Sequence, residues 1–176
     1  QFFSQFDVDM EKCMGKFWRG SLTCAYTAKA LATLTGYPSA DEAYMAGLLH
    51  NIGQLVFLSN YPSEYTELLL GSSSDSELDR KERELWGATN TEIGALLVSQ
   101  WNVDPFLSDA ILYQHQPADA ILDSSRLVKL LNFAHKLSEQ GVAQEKLFEE
   151  ADLLFGLSQS VIEDLLQEVE AQVAEA

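Results

Sequence analysis

The stretch Ala43–Leu58, Ala-Tyr-Met-Ala-Gly-Leu-Leu-His-Asn-Ile-Gly-Gln-Leu-Val-Phe-Leu, constrains the fold more than any other part of the chain. Its apolar residues Met45, Leu48, Leu49, Ile52, Leu55, Val56 and Phe57 recur at three and four, the period of a largely buried helix. One imidazole, His50, interrupts it between Gly47 and Gly53. An interior glycine costs a helix about 1 kcal/mol against alanine, so two of them imply a close neighbour, either another helix backbone or something bound beside His50. His50 itself reads either as a core histidine bonded to a neighbour or as a metal ligand with Asn51 beside it. In the second reading the neutral amide of Asn51 offers a cation only a dipole, where a carboxylate would offer charge.

The rest of the chain reads as helices joined by short turns. Asp7–Thr35 is helical and is stopped by Gly36, and Tyr37-Pro38-Ser39 makes the turn. Ser39 with Glu42 forms a capping box that opens the His50 helix. A short helix follows Asn60-Tyr61-Pro62 and runs to Leu70, before the loop Gly71-Ser72-Ser73-Ser74. Glu77–Glu84 reads as a solvated helical face with Asp79 and Arg83 spaced for an i,i+4 pair, closed by Trp86-Gly87. Thr89 with Glu92 is a second capping box, for a helix through Ile93, Leu96, Leu97 and Trp101. Asp104-Pro105 opens the next, which reaches His115 before Pro117. A longer helix from about Ala120 to Glu139 embeds His135 and is stopped by Gly141; the final helix runs from about Ser158 to Val173. No alternating run bounded by turn signals suggests a strand, so the expected class is all-α.

At 176 residues the chain has the length of one domain, 1–176. Because it begins at Gln1 without methionine, a fragment of a longer protein is expected. Eleven Lys plus Arg against 27 Asp plus Glu give a formal charge of −16, which repels nucleic acid and anionic membranes alike. No uninterrupted apolar run is long enough to span a bilayer and no secretory signal pattern is present, so a cytoplasmic protein is expected. Cys13 and Cys24 lie about three turns apart on one helix, too far for a disulfide, and read as reduced core thiols.

Three segments together carry a family resemblance: Phe17-Trp18-Arg19-Gly20-Ser21-Leu22, Ala46-Gly47-Leu48-Leu49-His50-Asn51-Ile52-Gly53, and Glu84–Leu97 followed by Trp101. In order and spacing they resemble the HDOD family, the HD-related output domain of bacterial signalling proteins, over about Phe17–Glu139. Domains of that family normally carry further helices ahead of the first segment. The tripeptide Gly36-Tyr37-Pro38 matches the signature of a related phosphodiesterase family but precedes His50 instead of following it, and a helix stop and turn explain it.

The resemblance implies an HD-like helical bundle, in which active phosphohydrolases hold metal with a histidine, a His-Asp pair and a later aspartate. On this sequence those positions are Gly20, His50-Asn51 and His135; two further histidine positions are Asn90 and Gln114-His115. Every carboxylate is gone from these positions. Metal-assisted phosphoester hydrolysis needs a firmly held cation, so a non-enzymatic domain without cofactor is expected. Basic residues Lys16, Arg19, Lys29, Arg126 and Lys129 are scattered, and no phosphate loop or other catalytic set stands out. The expected function is a signalling output module acting through a protein partner or self-association. The alternatives are a pocket around His50, Asn51, His115 and His135 that senses a metal or small molecule, and, third, a phosphohydrolase. Any metal held by His50, His115 and His135 would suit Zn²⁺, Ni²⁺ or Cu²⁺ better than Mg²⁺.

Overall fold

In the computed structural model, which describes residues 5–139 and 142–176, the chain folds into ten α-helices and one 3-10 turn, with no strand among the described residues. The helices are α1 (Gln5–Leu34), α2 (Ala40–Leu49), α3 (Ile52–Asn60), α4 (Pro62–Gly71), α5 (Asp75–Trp86), α6 (Asn90–Ser99), α7 (Pro105–Leu112), α8 (Arg126–Ser138), α9 (Gln144–Phe155) and α10 (Gln159–Glu175). The 3-10 turn spans Ala118–Ile121. The all-α class expected from the sequence is the class observed. Gln1 and Gly141 lie outside the described residues.

The main core forms around α8, where Leu127, Val128, Leu130, Leu131, Phe133 and Ala134 are all buried and pack with Cys24, Ala28 and Leu31 of α1, Ile111 of α7, and Ile162 and Leu165 of α10. Arg126 ties the ends of α8 and α1 together, donating to the Thr35 carbonyl at 2.6 Å, and Lys136 reaches Glu150 of α9 at 2.8 Å. A smaller core of Phe57, Leu58 and Tyr65, flanked by Met10, Met14 and Trp86, joins α3 and α4 to the N-terminal half of α1. Cys13 and Cys24 are both free and buried.

The two glycines around His50 are contact points between backbones. A Cβ on Gly47 would lie 2.6 Å from the Ala25 nitrogen of α1, and one on Gly53 would lie 2.7 Å from the Asn90 carbonyl carbon at the start of α6. The neighbours implied by these glycines are therefore helices. Gly36 and Gly87 end α1 and α5 at φ of +65° and +77°, conformations that cost other residues strain.

Several boundaries differ from the sequence reading. Ala43–Leu58 is not one helix: α2 ends at Leu49, and Asn51, at φ −109° and ψ 20°, starts α3, so the chain bends at His50-Asn51. Continuous apolar periodicity hides this bend because each half buries apolar residues of its own, α2 against α1 and α3 against α6, while Met45 of the same stripe is half exposed. The helix expected from Ala120 begins at Arg126, capped by Ser125, after the 3-10 turn. α9 went unread because the stretch between the expected stop at Gly141 and the final helix is rich in acidic residues that face solvent. Thr89 and Glu92 form the expected reciprocal capping box; at α2 only Ser39 caps, because Glu42 turns to accept from the Tyr37 hydroxyl at 2.7 Å.

Substituting Gly47→Ala should cost upwards of about 3 kcal/mol, since neither backbone can yield without moving a helix. Gly15→Ala, on α1 with nothing within 4 Å of its added carbon, should stabilise by about 0.5–1 kcal/mol. Thermal unfolding of the two variants checks both signs.

Candidate functional site

His50, His115 and His135 converge although 85 residues separate the first from the last. The His135 ring lies 5.2 Å from that of His50 and 5.1 Å from that of His115, centroid to centroid. Each comes from a different kind of position. His50 sits at the bend after α2, His115 in the turn after α7, and His135 in the last turn of α8.

The surroundings of His50 are satisfied by protein groups. Its Nδ1 donates to the Gly47 carbonyl at 2.6 Å, and its own carbonyl accepts from Gln114 Nε2 at 2.5 Å. Burial, reinforced by the neighbouring His135, pulls its pKa from the ordinary 6.5 to about 3, so the ring is neutral. Asn51 accepts from the Ser21 hydroxyl at 2.8 Å. Gly20, one residue earlier on α1, is half-buried and has no atom within 4 Å of where a Cβ would stand. Asn90 turns away to Glu82, donating through its backbone N–H at 2.6 Å and its amide at 3.0 Å. Gln114 is almost fully buried and holds the His50 bend to the end of α7.

Carboxylates reach the histidines from α5, and this corrects the sequence reading of Glu77–Glu84 as a solvated face. Asp75, Leu78, Asp79 and Glu82 form a stripe directed inward. Asp75 Oδ2 lies 2.8 Å from His135 Nε2 and its Oδ1 lies 3.6 Å from His115 Nε2. Asp79 Oδ2 accepts from His115 Nδ1 at 2.8 Å, and the expected Asp79–Arg83 pair is absent because Arg83 reaches Glu92 at 2.6 Å. Glu139 closes the group, 3.5 Å from His135 Nε2. Ligating atoms of Asp75, His115 and His135 all lie within 4.8 Å of one another. Burial alone would raise the Asp75 pKa, but the His135 hydrogen bond and the two neighbouring rings outweigh it and hold the carboxyl well below the usual carboxylate range. Burial pulls His115 down, and the Asp79 hydrogen bond with the Asp75 and Asp79 charges more than offsets it, leaving its pKa raised.

Further along α5, Glu82 is fully buried. It accepts from Tyr65 at 2.5 Å and from Asn90, and burial still raises its pKa against these donors. Asn132 of α8 donates to the carbonyls of Tyr113, Gln114 and Gln116, and so fixes the turn that carries His115. Sequence reading missed Asp75, Asp79, Glu82 and Asn132. The spacing of the three acids at i, i+4 and i+7 on one helical face was the available signal, obscured by the other charges of α5.

The three histidines thus meet where the α2–α3 bend, the turn after α7 and the last turn of α8 come together beneath α5. The HDOD domain model matches residues 1–117, two thirds of the chain, and the chain belongs to the HDOD family. That span begins and ends earlier than the Phe17–Glu139 resemblance read from the motifs. An uncharacterized protein of Treponema pallidum (strain Nichols) is 27% identical over 127 residues, covering 68% of this chain and 24% of that protein. The MmoQ response regulator of Methylococcus capsulatus str. Bath superposes with a TM-score of 0.71 at 24% identity, covering 87% of this chain and 61% of its own. A Marinobacter aquaeolei VT8 protein named for signal transduction gives 0.69 at 26%, covering 90% and 37%. The chain thus spans about a quarter of the curated relative and about three fifths of the first of these structures. The family and these neighbours fit a signalling role.

Because His50 is neutral when folded and takes a proton near 6.5 when unfolded, the unfolded state binds the extra proton between those pKa values, and stability falls as pH drops through that window. This group costs up to about 1.4 kcal/mol per pH unit there. In metal-free protein the His50 ring resonances should keep their neutral positions down to about pH 4 in an NMR titration.

Proposed function

We propose that this domain is a non-catalytic signalling module: it takes a signal from elsewhere in its protein and passes it on by contact with a protein partner or a second copy. The observation that carries this reading is how the family's ligand positions are used. Gly20 offers no donor, Asn51 is engaged by Ser21, Asn90 by Glu82, and Gln114 by backbone carbonyls. Hydrolysis at an HD-type centre requires a cation that lowers the pKa of a bound water and neutralises phosphoryl charge. These four groups supply no charged oxygen for it, and the nearby carboxylates Asp75 and Asp79 come from α5, outside the family's ligand positions. The cavity of about 330 Å³ beside His115 is lined by Asp79, Thr91 and Glu92 as well as by Arg80 and Arg83, a mixed lining poorly suited to a phosphodiester.

Contacts with a partner have candidate anchors. Leu96, Trp101 and Phe106, around the α6–α7 corner, are between 45% and 61% exposed, and large side chains of this kind dominate protein interfaces. The acidic chain would favour a partner with a basic surface. No helix among the described residues is long and apolar enough to cross a membrane.

Protein supplied with Mn²⁺, Ni²⁺ or Mg²⁺ should not turn over a nitrophenyl phosphodiester or a cyclic dinucleotide above the blank. Metal-dependent turnover that disappears in His50→Ala overturns the reading. The double variant Trp101→Ser, Phe106→Ser should weaken self-association or partner binding, measured by sedimentation and pull-down, with little change in melting temperature. Unchanged association would remove this corner from the interface.

A further inference from the structure

The carboxylates gathered beneath α5 lie outside the ligand positions implied by the family resemblance, whereas His115 and His135 occupy two of those positions. Those positions centre on His50-Asn51, and His50 is outside the set of ligating atoms that converge within 4.8 Å of one another. The set that does converge is Asp75 from the first turn of α5, His115 from the turn after α7, and His135 from α8. We propose that these three residues form a binding site for a divalent first-row transition-metal ion, and that the ion fastens α5 to the rest of the bundle.

Four features support the assignment. First, two imidazoles and one carboxylate are a donor set for Zn²⁺, Ni²⁺, Cu²⁺ or Fe²⁺ and not for Mg²⁺ or Ca²⁺, which take oxygen. Second, the spacing is nearly right. Bonds of the usual 2.0–2.1 Å hold tetrahedral donors about 3.3 Å apart, and Asp75 already stands 2.8 Å from His135 and 3.6 Å from His115. Third, Asp79 takes the Nδ1 proton of His115 and turns Nε2 toward Asp75, the carboxylate–histidine support that metal-binding imidazoles use. Fourth, the side chain of His135 is more than nine-tenths buried and its Nε2 is aimed at the carboxylates of Asp75 and Glu139, so the imidazole is held in place for ligation. Glu139, 3.5 Å from His135, stands at the solvent side, where a fourth donor or a water completes a tetrahedron.

The consequence for the fold follows from how α5 is held. Its C-terminal end is anchored by Trp86 against Phe57, Tyr61 and Tyr65, whereas its N-terminal end is held by polar contacts of Asp75 and Asp79 to His115 and His135. An ion bound by Asp75 and both histidines would cross-link three elements at the N-terminal end of α5, so occupancy would set how firmly that helix sits. This goes beyond the signalling reading and does not depend on it.

The test uses the full chain stripped with chelator and then titrated with Zn²⁺, with Co²⁺ as a spectroscopic probe. Wild type should bind about one Zn²⁺ per chain, raise its melting temperature on binding, and give the visible absorption of tetrahedral Co²⁺. Asp75→Asn and His115→Gln, both near in shape to the original, should each weaken binding more than about tenfold, and Asp79→Asn about 10- to 100-fold, with the helical circular dichroism retained. His50→Gln should bind as wild type does. No stoichiometric binding by wild type, or equal binding by Asp75→Asn and His115→Gln, overturns the proposal. Loss of the ion in His50→Gln with retention in Asp75→Asn also overturns it and moves the ion to the His50-Asn51 bend. Should Asp75→Asn unfold, His115→Gln with the Co²⁺ spectrum decides alone.

Discussion

The arrangement depends on two places where helix backbones touch without side chains between them. Gly47 of α2 lies against Ala25 of α1, and Gly53 of α3 against the Asn90–Gly94 turn of α6. These contacts draw the two arms of the bend at His50-Asn51 close to α1 and α6. Ordinary side chains would hold the axes about 8–10 Å apart. Everything at the site follows from that approach, including the reach of Ser21 to Asn51 and the place of His50 under the ring of His135.

The two sides of the histidine pocket are held by different physics. α8 is fixed by an apolar face, and its burial depends little on ionisation. α5 presents Asp75, Asp79 and Glu82 inward, and burying carboxylates is favourable only while each is paired. Its position is therefore tied to the hydrogen bonds its carboxylates make with His115 and His135, and to anything that competes for those nitrogens.

How much was legible from residues alone can be judged helix by helix. Caps and stops at Thr89–Glu92, Asp104-Pro105, Gly36 and Gly87 were read correctly because their hydrogen bonds close within four residues. The bend at His50-Asn51 was not, since two short helices that each bury apolar residues, one against α1 and one against α6, leave the apolar run unbroken. The family resemblance placed His50, His115 and His135, and the structure brings these three together. It directs Asn51 and Asn90 to Ser21 and Glu82 instead.

The sequence by itself determined the helical class, most of the termini, the acidic field and the need for a close neighbour at Gly47 and Gly53. Each of these is set by charge sums or by neighbours within a turn or two. Only the tertiary structure decided that Asp75 meets His135 across 60 residues and His115 across 40, and that Glu82 meets Tyr65 and Asn90. A carboxylate on a polar helix has the same local pattern whether it faces water or an imidazole. The packing of the neighbouring helices chooses between them.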